Sequence, residues 1–426
     1  MSDWIYLDYN ASTPMAPEVV SLMTECLQAQ AHPSSKHPAG QKAGALVRRA
    51  RQQVADSLQA DPDEIVFCSG STEAANHVIK GVAFGQAIKG EAPEVRPETP
   101  LTRSELRSDI QDDGFPTEPL AQSMARSRSK RGFSAGLLGD RTGPLHFITS
   151  AVDHAATIEP LRFLERLGHQ VTLLEVDRRG RLTAEQVDQA IRPNTALVSL
   201  IHGQNEVGTL LPLEEVGQVC RARNVLFHVD AAQSYGKAPV SVNALKADFL
   251  QIAGHKIYAP KGVGALYIRC GRTLEPLLHG AGHESGARSG TPAPALIAGL
   301  GEACRLVDQH GLLSAEPADR LWEILSAQLG TRVRRNGHPE HRVPNVLHLT
   351  LEGFSGQELL DRARICASTG AACHSAAGSP VLSAMGFSPG EAAGSIRLSC
   401  GRQTTLEEAE TAAYRLVEAC QALAPG

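Results

Sequence analysis

The sequence predicts an α/β fold built on a mainly parallel, seven-stranded sheet, joined to a smaller α+β unit. Three observations predict it. Seven short apolar runs alternate with helix-like stretches between about residues 60 and 270. The polar clusters able to do chemistry follow those runs, where open α/β sheets take their ligands. Beyond about residue 308 the alternation gives way to a different pattern.

Residues 64–68 open the series as a short apolar strand, followed by Ser-Gly-Ser-Thr and a helix-like stretch over 73–85. Strand-like runs follow at 145–149, 169–174, 195–201, 225–230, 247–252 and 264–269. The spacing then predicts a helix over 320–329, a strand over 346–351, a helix over 357–364, a strand over 395–399 and an amphipathic helix over 405–423. The expected division is a large domain over 14–308 and a small one made of 1–13 and 309–426. Residues 86–143 break the pattern. They are rich in Pro, Ser, Arg, Glu and Gly, contain the basic run 124–131 and read as a flexible surface insertion.

A length of 426 residues suits two domains. The net charge of −5 gives no general attraction to nucleic acid or acidic membranes. No signal peptide, transit peptide or membrane span is legible. Nine cysteines without a C-x-x-C pair argue against a structural metal or thioredoxin-like site and fit a reduced, cytoplasmic setting. Cys366 and Cys400 sit in apolar patterns and are expected in the core.

Three clusters stand out. Lys256, in Gly254-His255-Lys256, could form a Schiff base if burial or neighbouring charge lowers its pKa; a solvated lysine is the plainer alternative. Asp230 could pair with a pyridinium nitrogen, or simply cap the next helix. Ser69-Gly70-Ser71-Thr72 could cradle a phosphate at a helix start, or be an ordinary cap. Together the three supply the parts a pyridoxal-phosphate site needs.

The motifs Tyr6-Leu-Asp-Tyr-Asn-Ala-Ser-Thr-Pro14, Ser69-Gly-Ser-Thr-Glu-Ala-Ala-Asn76, His228-Val-Asp-Ala-Ala-Gln233 and Gly254-His-Lys-Ile-Tyr-Ala-Pro-Lys-Gly262 carry a resemblance. So do Arg288-Ser-Gly-Thr291, Gly370-Ala-Ala-Cys-His-Ser375 and Ile396-Arg-Leu-Ser-Cys-Gly-Arg402. With them the chain, apart from 86–143, resembles the NifS-like cysteine desulfurases and selenocysteine lyases, fold type I enzymes of the class V aminotransferase-like group that use pyridoxal 5'-phosphate. The resemblance implies that Lys256 holds the cofactor, Asp230 pairs with its ring nitrogen, Gln233 bonds its ring hydroxyl and His154 stacks on it and moves protons. It implies phosphate contacts from Ser71, Thr72 and His255, and from Thr291 to the partner subunit of a homodimer. Asn205 would lie beside the cofactor, Arg397 would clamp the substrate carboxylate, and Cys373 would accept sulfur or selenium and pass it to an acceptor protein or thiol.

Three positions depart from the family pattern. His32 replaces an Asn that helps hold the substrate carboxylate in relatives, Ala253 stands where many have Ser, and Gln204 where Asn is usual. The implied activity is release of L-alanine from L-cysteine with a persulfide left on Cys373. Alternatives are a selenocysteine lyase, another lyase or epimerase that does not use Cys373, and a catalytically weakened scaffold.

Overall fold

The computed structural model describes residues 3–28, 31–85, 143–369 and 378–423. The expected insertion, with its basic run, lies outside the described residues except for Gly143.

A two-residue strand, β1 (Ile5–Tyr6), leads into the helices α1 (Pro17–Leu27) and α2 (Pro38–Leu58). Both start with Pro at the first helical turn, where its missing N–H costs nothing. The seven-stranded sheet comprises β2 (Ile65–Cys68), β3 (His146–Ser150), β4 (Gln170–Leu174), β5 (Thr195–Ile201), β6 (Leu226–Asp230), β7 (Phe249–Ala253) and β8 (Gly264–Ile268). Their order is β2-β8-β7-β6-β5-β3-β4. Along it lie α3 (Ser71–Phe84), α4 (Ala155–Arg166), α5 (Ala184–Ala190) and α6 (Leu213–Ala222), and α7 (Pro294–His310) follows.

Successive residues in the central strands belong to cores on opposite faces. Phe147, Leu197, Leu226 and Phe249 pack with Val78 of α3 and Leu161 of α4. Their neighbours Ile148, Val198, Phe227 and Leu250 pack with Val54 of α2 and Leu300 of α7. Burial on both faces is why these strands read as unbroken apolar runs.

The expected sheet is present with one difference in direction. β8 is antiparallel to both of its neighbours, β2 and β7. The connection from β7 to β8 is too short for a parallel crossover, which needs a dozen residues or more, so the chain must turn straight back.

The later unit holds a three-stranded antiparallel sheet of β9 (Val333–Asn336), β10 (Val346–Leu351) and β12 (Ser395–Ser399), ordered β12-β10-β9. It packs with α8 (Glu316–Leu329), α9 (Gly356–Ala363) and α12 (Leu406–Leu423) around Leu321, Leu347, Leu349, Leu359, Leu398 and Leu416. Leu7 joins this core, and β1 pairs in parallel with β11 (Ile365–Cys366). Two short helices, α10 (Pro380–Ala384) and α11 (Pro389–Ala393), precede β12. Among the described residues no helix is long and apolar enough to cross a membrane.

Candidate active site

β2, β3, β5, β6 and β7 point the same way, so the segments leaving their carboxyl ends share one edge of the sheet. α3 begins there, directly after β2. Its N-cap is Gly70, which has no side chain to offer the first amides. Those amides and the hydroxyls of Ser71 and Thr72 are groups that could cradle an anion. The cradle is braced from below. Glu73 accepts the Ser69 amide at 2.8 Å and Arg288 Nε at 2.9 Å, while Glu284 accepts the Phe67 amide at 2.9 Å and pairs with Arg51 at 2.7 Å.

Gly264 of β8 lies close against the start of α3. A Cβ there would fall 2.9 Å from Gly70 Cα and 2.6 Å from the Ile252 carbonyl oxygen. Gly264→Ala must therefore displace backbone at the cradle. We expect its affinity for a phosphate-bearing ligand to fall about tenfold or more, read by equilibrium titration, on the scale of overpacking costs of ~1–3 kcal/mol.

His255 and Lys256 lie in a short turn directly after β7. Two residues on, Tyr258 has φ 68°, which is rare for a bulky side chain. The turn is pinned from elsewhere in the chain: the Tyr258 amide donates to Thr13 Oγ1 at 2.7 Å, and its hydroxyl accepts the Arg402 amide at 2.7 Å. Lys256 Nζ donates to the carbonyl oxygens of Asn10 at 2.5 Å and Ala11 at 3.1 Å. Among the described residues nothing bonds the buried Nδ1 of His255. Burial, helped by the charges of Lys256, Lys261 and Lys237, lowers its pKa to about 4 and keeps the ring neutral.

Asp230 ends β6 at 3% exposure, with one carboxylate oxygen accepting the Ala232 amide at 2.9 Å. His154 caps α4, its Nδ1 accepting the Ala156 amide at 3.1 Å. Burial lowers its pKa; Asp230 opposes this and Lys256 adds to it. With Nδ1 an acceptor, the neutral ring carries its proton on Nε2. Its neighbour Asp153 is pushed up to about 7, mainly by burial, against hydrogen bonds from the Ser150 hydroxyl and amide.

Arg397 reaches the same rim from β12. Nη1 donates to the Asn205 carbonyl oxygen at 2.9 Å, Nη2 pairs with Asp8 at 2.8 Å, and the buried Nε has no partner among the described residues. Gln204 is fully buried and shapes the Asn205 loop. Its Oε1 accepts the amides of Glu206 and Val207 at 2.6 and 2.9 Å, and its Nε2 donates to the Val152 carbonyl and Asn205 Oδ1. Gln204 is thus a framework residue.

Gln233 donates to the Asn10 carbonyl oxygen at 2.8 Å and accepts Lys237 at 2.7 Å. Asn10 is the hub of this region. Besides Lys256 and Gln233, it engages Lys237, Ser399, Asn345 and the Asn205 carbonyl.

The structure brings the Ser71–Thr72 cradle, His154, Asn205, Asp230, Gln233, His255, Lys256 and Arg397 to this rim. It does not join His32 or Thr291 to them by hydrogen bonds among the described residues. His32 is exposed, 5.8 Å from the His283 ring, and accepts the Ser34 amide. Thr291 is also exposed and lines a cleft with Cys68, Ser69 and Arg288.

Cys373 lies outside the described residues. Among the described residues that follow, Ser379 donates to Glu206 at 2.6 Å, one residue from Asn205, and α10 packs its Val381 and Leu382 against Val152 and Val207. Cys366, expected in the core, is exposed: among the described residues β11 pairs only with the short β1, and its apolar neighbours do not cover the thiol. Cys400 is buried as expected.

Sequence reasoning gave no role to Asp8, Asn10, Asp153, Glu206 or Lys237. Four of them lie inside or beside motifs already singled out. Lys237 follows Gln233 by four residues, the one local signal for it.

The family Aminotransferase class-V matches residues 5–92 and 141–411. The cysteine desulfurase IscS of Azotobacter vinelandii is 37% identical, aligned over 97% of this chain and 92% of its own. Among solved structures, a NifS-like protein superposes with a TM-score of 0.78 at 28% identity, over 99% of this chain and 100% of the other. SspA in complex with cysteine gives a TM-score of 0.72 at 32% identity, over 93% and 98%.

Proposed function

The chain belongs to the class-V aminotransferase family, and we propose that it is a pyridoxal-phosphate-dependent cysteine desulfurase that releases L-alanine and leaves the sulfur as a persulfide on Cys373. The observation that carries this reading is the meeting of Lys256, Asp230 and the start of α3 on one rim, with Arg397 beside them.

The residues present fit the cofactor. The uncapped start of α3 and the orphaned His255 Nδ1 suit its phosphate. The second carboxylate oxygen of Asp230 suits a protonated ring nitrogen, and the neutral His154 ring suits stacking. When bound, pyridoxal phosphate supplies an electron sink for the substrate α-carbon.

Lys256 would hold the cofactor and, once displaced by substrate, move the proton at the α-carbon. Arg397 would orient the substrate by a two-pronged grip on its carboxylate. The Cys373 thiolate would attack the substrate sulfur: an S–S bond forms, the Cβ–S bond breaks, and its electron pair stays with the carbon. Proton delivery from the His154–Lys256 side then completes alanine. The persulfide passes to an acceptor thiol or protein. The resemblance to the family implies a homodimer in which each subunit completes the other's site, and Thr291, exposed on a cleft beside Ser69, is accessible for that role.

Alanine formation from L-cysteine and from L-selenocysteine, each with the wild type and Cys373→Ala, tests the reading. We expect turnover of cysteine that collapses in the variant. Turnover of selenocysteine alone would replace the desulfurase with a lyase, and full cysteine turnover without Cys373 would remove the persulfide step.

A further inference from the structure

Lys237 is a buried lysine to which the reading above gives no task. It is 2% exposed in the loop that follows β6. Among the described residues no carboxylate pairs with it. Its Nζ donates instead to two neutral oxygens, Gln233 Oε1 at 2.7 Å and Asn10 Oδ1 at 3.3 Å. The charged groups acting on it are Lys256 and Arg397, both cations, the latter paired with Asp8. Together with burial they hold its pKa well below the usual lysine value. A buried cation among cations is costly to the fold.

The chemistry of Gln233 gives the position a use. A carboxamide has an acceptor end and a donor end, and in this contact Lys237 Nζ is the donor. Lys237 can therefore face only Oε1, which turns Nε2 the opposite way. There Nε2 meets the Asn10 carbonyl oxygen, the same atom that accepts Lys256 Nζ. The amide is clamped at both ends, and the N–H donor on its oxygen polarises it and strengthens its own N–H groups as donors. One N–H goes to Asn10; the second is left for a ligand at the Lys256 site.

We propose that Lys237 is a positioning residue that locks and polarises the Gln233 carboxamide so that its N–H faces the ring oxygen of the cofactor. The inference rests on the cofactor reading above. An N–H donor at that oxygen favours its ionised form, so losing the clamp makes the oxygen and the attached nitrogen of Lys256 harder to deprotonate.

The test is the pH midpoint of the visible absorbance of the cofactor-loaded protein, which reads this proton and not turnover. Lys237→Met is expected to raise the midpoint by about one unit. Gln233→Leu is expected to raise it as well, and the double variant to fall well short of the sum. Fully additive shifts, or no shift in K237M, would overturn the inference. Thermal unfolding of the cofactor-free variants checks folding. If K237M does not fold, Lys237→Gln takes its place in the cycle, and failure of both while Q233L folds assigns Lys237 to the fold and overturns the inference. Wild-type protein that takes up no cofactor would sink the reading of the site; a wild-type band whose midpoint K237M leaves in place sinks only the role of Lys237.

Discussion

Replacing Lys256 with alanine is expected to lower alanine release from cysteine by about three orders of magnitude or more, because in the proposed reaction the change removes both the attachment point and the proton carrier. The fold should survive. The substitution withdraws donors from the Asn10 and Ala11 carbonyl oxygens, but Asn10 keeps its bond from Gln233, and Thr13 still bonds the neighbouring turn. Borohydride reduction of the loaded wild type followed by peptide mapping should place the cofactor on the Lys256 peptide and nowhere in the variant. A K256A protein with near wild-type turnover would show that this lysine is only a framework residue.

Arg397→Lys should have the next largest effect. The guanidinium reaches two partners at once, Asp8 through Nη2 and the Asn205 carbonyl through Nη1, with Nε still to spare. Lysine keeps the charge but offers no planar fork. Losing one arm of a buried, charge-assisted grip on the substrate carboxylate costs ~2–3 kcal/mol, equivalent to about 30- to 150-fold. The loss should fall mainly on KM for cysteine, with a smaller change in kcat, since the carboxylate is held in ground and transition states alike. Steady-state kinetics resolve the two, and an unchanged KM would remove Arg397 from substrate binding.

Much of the fold was legible because of how it is buried. The central strands are covered on both faces, so each stands out as an apolar run bounded by turns, and β5 coincides with the expected 195–201. The direction of β8 was not legible, because the same run of residues pairs either way and the short link from β7 decides. β9, Val-Arg-Arg-Asn, carries too little apolar pattern to announce an edge strand. Both α1 and α2 begin at Pro behind Ala16 and His37, without the usual Ser, Thr or Asp cap.

The site divides along the same line. Ser71, Asp230 and Lys256 lie in short motifs at strand ends, where local sequence shows them. The importance of Asn10 depends on the folded chain bringing it to residues as distant as Lys237, Lys256 and Asn345. The carboxyl group of Glu206 looks like an ordinary surface acid in sequence. In the structure burial pushes its pKa up to about 7, against the Ser379 hydroxyl and the charge of Arg397. Cys366 errs the other way: its apolar neighbours suggest the core, yet a two-residue strand at the edge leaves it exposed.

The central claim is that sulfur leaves cysteine for Cys373 at a site organised by Lys256 and Asp230. Its most direct test is a single turnover of the loaded protein with L-cysteine, without reductant, followed by the mass of the Cys373 peptide and a count of alanine. The account predicts one added sulfur atom on that peptide for each alanine released. Alanine formed in full while the Cys373 peptide keeps its original mass would contradict it.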